Sequence, residues 1–168
     1  IVIAQHMPAR FLASFTERLQ RRMRPSVSLA RDGERLTPGR ILIAPGGDTH
    51  LSISTSGPPR CVFVRDTGAA FVPLVDVLMF SAARLGKRGV GAILSGMGKD
   101  GAQGLLAMRQ SGATTLTEAS TSAVVDGMPA AARRIGAAQS AHDVNDIGRK
   151  ILDVTCDLRS EDSGSICR

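Results

Sequence analysis

The stretch Ile93-Leu94-Ser95-Gly96-Met97-Gly98-Lys99-Asp100-Gly101-Ala102 limits what this chain can fold into more than any other. The apolar run Val90 to Leu94 reads as a buried strand, and the apolar spacing from Ala102 to Met108 reads as a helix. A strand that ends in a glycine turn and feeds a helix is where parallel α/β sheets place their chemistry. Three readings of the turn stay open. Gly96, Gly98 and Gly101 spell G-x-G-x-x-G, and Glu118 ends the next strand, a pattern that seats a pyrophosphate on the helix N-terminus. Alternatively Asp100, stabilised by the helix dipole, orients a histidine as the third member of a hydrolase triad. Asp100 bears on that choice, because a fixed negative charge inside a pyrophosphate cradle repels the ligand. In the third reading Asp100 only caps the helix.

With 168 residues and 43% hydrophobic content, the chain can bury one substantial core, and disorder is excluded as its overall state. No apolar run approaches membrane length, and no secretory leader is expected. Cys61, Cys156 and Cys167 are odd in number and widely spaced, which points to reduced thiols in a cytoplasmic setting and matches no zinc pattern. The absence of Trp and Tyr removes base-stacking platforms, and nothing resembles a nucleic-acid-binding module. A net charge of +6 could serve nucleic acid and equally suits an acidic protein partner. The first residue, Ile1, stands inside an apolar run, so the chain reads as the continuation of something longer.

In order, Ile1–Ala4 reads as a strand, Phe11 to Met23 as an amphipathic helix, and Val27–Ala30 and Ile41–Ala44 as strands. Arg18, Arg21 and Arg22 mark the helix's other face, read as solvated in preference to a docking patch for acidic protein. Leu51–Ser54 and Cys61–Val64, separated by Ser56-Gly57-Pro58-Pro59, predict an antiparallel hairpin. Val72 to Leu85 reads as a helix with Pro73 in its first turn. After the central turn come a helix to about Gln110, a strand Thr114–Thr117, a short apolar Ser122–Val125, a small helix opened by Met128-Pro129, and a last helix Val144 to Leu152. The chain to residue 157 is expected to form one domain, and residues 158–168 a disordered tail. The alternation predicts a doubly wound, three-layer α/β/α fold whose mostly parallel sheet carries the hairpin as an appendage.

His6 follows the first strand as Asp100 follows the central one. If both strands run parallel in one sheet, both residues project at its carboxyl edge, where Asp100 can fix the tautomer of His6. A lone histidine is more often structural, and His50 and His142 have only that reading. A nucleophile is missing: Ser95 is not in a G-x-S-x-G elbow, because Ile93 holds the first glycine position, and Ser122 lacks glycine flanks.

Six segments then occur in a familiar order: Gln5-His6-Met7-Pro8, Ile43-Ala44-Pro45-Gly46, Val75-Asp76-Val77-Leu78, Gly96-Met97-Gly98-Lys99-Asp100-Gly101-Ala102, Ala107-Met108-Arg109-Gln110 with Gly112-Ala113, and Val124-Val125 with Gly127-Met128-Pro129. From Ile1 to about Asp157 the chain resembles the catalytic domain of the CheB chemotaxis methylesterases, which act as protein-glutamate methylesterases and protein-glutamine glutaminases. The resemblance implies a Ser-His-Asp hydrolase on a parallel α/β sheet. It implies His6 as the base, Asp100 as its partner and the Met97 N–H as an oxyanion donor. It implies methyl-accepting chemoreceptor helices as substrate, an upstream receiver domain and no metal or organic cofactor, while composition and apolar run length lead to the expectation of no nucleic acid and no membrane insertion. Two features depart from the family. The Gly-x-Ser-x-Gly-Gly turn that bears the nucleophile does not occur in this sequence, and Ala69-Ala70-Phe71-Val72-Pro73-Leu74 stands where the family has a basic stretch ending in Pro-Ser. A catalytically inactive receptor-binding relative and a nucleotide-binding domain remain the alternatives.

Overall fold

The computed structural model describes residues 1–163. The chain divides into two compact units, Ile1–Ser81 and a second beginning at Ala82.

In the first unit the β-branched run at the start forms β1 (Val2–Ile3), followed by α1 (Ala9–Gln20), β2 (Ser26–Leu29) and β3 (Arg40–Ile43). β3 is central and parallel to both neighbours, with Val2 opposite Leu42 and Ser28 opposite the same residue on the other side. Helical spacing turns one stripe of α1 inward. Leu12 packs with Val27, Ile41 and Ile43, and Ile3, Met7, Phe15, Leu19 and Leu29 close round them. Arg18, Arg21 and Arg22 are exposed, as either reading of that face requires. β4 (Thr49–Ser54) and β5 (Arg60–Arg65) form the expected antiparallel hairpin, in which inward Leu51, Ile53 and Cys61 are buried. Burial pushes the Cys61 thiol up to about 11, so this cysteine is inert as a nucleophile.

The helix predicted from Val72 begins three residues later, as α2 (Val75–Ala82). Its predicted first turn is used otherwise: the Leu74 N–H donates to His50 Nδ1 at 3.0 Å. Beyond α2 a 3-10 stretch, Ala83–Arg88, ends the element.

The second unit continues with β6 (Val90–Ile93), α3 (Ala102–Gln110), β7 (Thr114–Glu118), α4 (Gly127–Arg134), β8 (Ser140–His142) and α5 (Val144–Ser163). β7 is central and parallel to β6 and β8. Successive strand residues face opposite sides, so burial of Thr115, Leu116, Thr117 and Glu118 alike shows both faces covered. α3 and α4 pack together on β6 and β7, and α5 packs on all three strands. Strand β8 was not legible, because Ser-Ala-His lacks the β-branched pattern that marks a strand. Ser122–Val125 is a turn segment, with Val124 exposed. α5 runs past Leu152 into the stretch expected to be a tail; residues 164–168, Cys167 among them, lie outside the described residues. The α/β class, the parallel strands and the appended hairpin are as the sequence predicts; the parallel strands make two three-stranded ladders, one in each unit.

Candidate active site

The glycine turn is built by close approach. The Gly96 N–H donates to Val125 O at 2.9 Å, and the Met128 N–H donates to Gly96 O at 2.8 Å. A Cβ on Gly96 would lie 2.5 Å from Met128 Sδ, so glycine here seats the methionine. Gly98 and Gly101 serve a different need, with φ of +93° and +86°, which L side chains disfavour. Gly101, and not Asp100, is the N-cap of α3. The capping reading of Asp100 is therefore corrected: the positive φ at this position selects glycine, and the partly buried aspartate stands one residue earlier.

Glu118 is buried, and both its oxygens are engaged. Oε2 accepts the Ser95 N–H at 2.8 Å and Oε1 accepts the Ser122 hydroxyl at 3.1 Å. A carboxylate spent in this way does not hold a ribose, and this removes the acidic partner of the nucleotide reading. Ser95 Oγ accepts the Val125 N–H at 2.9 Å, so both serines considered as nucleophiles are structural ties. Arg133 locks the same region: it donates to Glu118 O at 2.7 Å and to both oxygens of Asp126 at 2.7 and 2.6 Å. The result is a rigid turn with the Met97 side chain 83% exposed. Among the described residues no acceptor engages the Met97 N–H. A backbone donor left without a protein acceptor meets one requirement of an oxyanion site.

His6 lies in the first unit, three residues beyond β1 and at the carboxyl edge of its sheet. It is partly buried, and its ring stacks on Phe71 with centroids 5.5 Å apart and planes 24° apart. Asp100 and Met97 lie in the second unit, beyond the carboxyl end of β6. Both sites of interest thus fall at strand carboxyl ends, where the parallel strand directions put them.

Sequence reasoning missed the surroundings of His6. His50 is buried; its Nε2–H donates to Asp66 Oδ1 at 3.0 Å while Nδ1 accepts from Leu74. Those two bonds fix the tautomer. Asp66 also accepts the Ala69 N–H at 2.9 Å and the Gly68 N–H at 3.1 Å. Extending the hairpin ladder one residue past Thr49 and Arg65 would have brought Asp66 beside Asp48 and near His50, and the Asp66 N–H does donate to Asp48 O at 2.8 Å. His142 has the structural role expected, against Ser140 Oγ at 2.8 Å.

The Ala69 amide first, then the Gly68 amide and His50, hold the Asp66 carboxyl below its ordinary 3.8. A lowered carboxyl stabilises the fold above the ordinary value and loses that contribution as pH falls through its own lower value. In an NMR titration the Gly68 and Ala69 amides should therefore hold their shifts from neutral pH to about 4 and move only below it. Asp66→Asn should abolish that acid transition.

Among the described residues no group of three or more His, Cys, Asp or Glu side chains could hold a metal, and no helix is long and apolar enough to cross a membrane.

Comparison with known proteins gives a consistent set of likenesses. Residues 1–151 match the CheB methylesterase family. The chain is 48% identical over 155 residues to a protein-glutamate methylesterase/protein-glutamine glutaminase of Caulobacter vibrioides, covering 91% of this chain and 45% of that protein. It is 47% identical over 156 residues to the protein of the same description from Rhizobium etli, covering 92% and 45%. The crystal structure of the Thermotoga maritima CheB methylesterase catalytic domain superposes with a TM-score of 0.86 at 32% identity, over 92% of this chain and 82% of that domain. The chain spans less than half the length of these two curated relatives.

Proposed function

The chain belongs to the CheB methylesterase family, and from that premise we propose that it is the greater part of a catalytic domain that hydrolyses glutamate methyl esters on chemoreceptor helices. The observation that carries this is the clamped glycine turn, whose Met97 N–H is held without an acceptor among the described residues. His6 is the general base, Asp100 orients it, and Met97 supplies the oxyanion donor. No Gly-x-Ser-x-Gly-Gly turn occurs in the sequence, so the nucleophilic serine comes from residues outside it.

The serine Oγ attacks the ester carbonyl while His6 takes its proton. Negative charge gathers on the carbonyl oxygen, and a backbone N–H aimed there stabilises the transition state more than the ground state. The tetrahedral species collapses, His6 returns the proton to the leaving oxygen, and methanol departs. Water then attacks the acyl-enzyme by the same route and frees glutamate and serine. A glutamine side chain entering this path releases ammonia in place of methanol. Neither route needs a metal or an organic cofactor. The positive net charge suits an acidic protein surface. The substrate helices and a receiver domain that governs access are cytoplasmic partners in this reading.

The test is methanol release from methylated receptor by the complete natural protein. Turnover supports the enzyme; receptor binding without turnover supports an inactive relative. Micromolar NAD binding abolished by Gly98→Val would restore the nucleotide reading.

A further inference from the structure

One buried imidazole ties both ends of a loop. His50 receives the Leu74 N–H on Nδ1 and gives its Nε2–H to Asp66, each at 3.0 Å. At one end Asp66 gathers the Gly68 and Ala69 amides. Toward the other, Val72 and Pro73 lie against Gly46, where a Cβ would meet Val72 O and Pro73 Cδ at 3.6 Å and where φ is +67°. Phe71 stands between these anchors. Its side chain is not part of the core, being 60% exposed, yet its ring lies across the face of His6. An apolar ring held out in this way has a use if its neighbour must keep a fixed plane.

We propose that Phe71, held by the Asp66–Leu74 loop on His50, is a positioning residue that fixes the plane of the His6 imidazole. The proposal rests on the reading of His6 as general base. A carboxylate that bonds one ring nitrogen leaves the imidazole free to tilt about that bond. A ring stacked at 5.5 Å removes the tilt, because offset aromatic stacking is directional. The gain is in proton transfer, which depends on alignment of the second nitrogen, and not in substrate affinity.

The test has two arms. In the complete natural protein, the His6 ring protons should carry a ring-current shift from Phe71, read by NMR. Phe71→Leu should remove it and Phe71→Tyr should keep it. In the complete natural protein, Phe71→Leu should lower methylesterase kcat by about ten- to a hundredfold, with KM unchanged and with Phe71→Tyr restoring kcat. Asp66→Ala, which removes one of the loop's two ties to His50 and its hold on the Gly68 and Ala69 amides while leaving Phe71 in the sequence, should reproduce both losses. Phe71→Leu should leave the urea midpoint unmoved, since the side chain is largely exposed. An active wild type whose kcat is indifferent to Phe71→Leu, or a His6 shift indifferent to Asp66→Ala, overturns the positioning role alone. A wild type without esterase activity overturns the catalytic reading and the positioning role together.

Discussion

His6→Ala is expected to lower methylesterase kcat in the complete protein by about a million-fold, with only the oxyanion donor and substrate binding left to act. In the proposed mechanism the imidazole is the group that takes the serine proton and returns it to methanol. Asp100→Asn alone should cost about 10⁴-fold, because the amide offers the ring the wrong partner and selects the wrong tautomer. The decisive measurement is the double variant. If Asp100 acts only through His6, then adding Asp100→Asn to His6→Ala should change kcat hardly at all. Two independent costs that multiply would mean that the residues do not work as one unit, and the triad assignment would fall. Rates are best followed by methanol release on methylated receptor, with circular dichroism to confirm that each variant is folded.

The second large effect is expected at a residue distant from both in the sequence. Gly127 opens α4, where alanine would ordinarily be welcome. Its φ is not among the positive values, so backbone strain is not at issue. Space is: a Cβ there would lie 2.8 Å from Gly96 O and 2.9 Å from Gly98 N. These are backbone atoms that flank Met97, and no side-chain rotation can make room. Gly127→Ala should therefore destabilise the fold by about 1–3 kcal/mol, read as a lower urea midpoint with an unchanged slope. It should also displace the Met97 N–H. Loss of one oxyanion donor costs about 10²–10³ in kcat, so activity should fall by that order in molecules that remain folded. The Met97 and Gly98 amide shifts should move in the same variant. A stable, fully active Gly127→Ala protein would show that the turn does not depend on this contact.

The same contact shows why the glycine pattern was ambiguous. G-x-G-x-x-G states only that small residues recur at a spacing. In this turn Gly96 is glycine because Met128 Sδ needs its volume, while Gly98 and Gly101 are glycine because of their φ. A pyrophosphate site would have selected the same letters for other reasons. Glu118 is a parallel case. Its distance from the turn suited a ribose, but its bonds to the Ser95 amide and the Ser122 hydroxyl make it a brace for the turn itself.

The amino-acid sequence alone determined the strand–turn–helix about Asp100, the Leu51 to Val64 hairpin, the helical stripe of Leu12, Phe15 and Leu19, and, through motifs in a fixed order, the family. Each of these is written within a short window, where the period of apolar residues or a turn's glycines act on near neighbours. Tertiary structure decided what no window contains. It brought Met128 and Gly127 onto Gly96, gave the cap of α3 to Gly101, and added β8 to the second ladder. It also tied Asp66 and Leu74 to one buried imidazole and laid Phe71 across His6. Those contacts depend on strand register and on the packing of elements far apart in the chain. A bond between distant residues leaves no periodic trace in either.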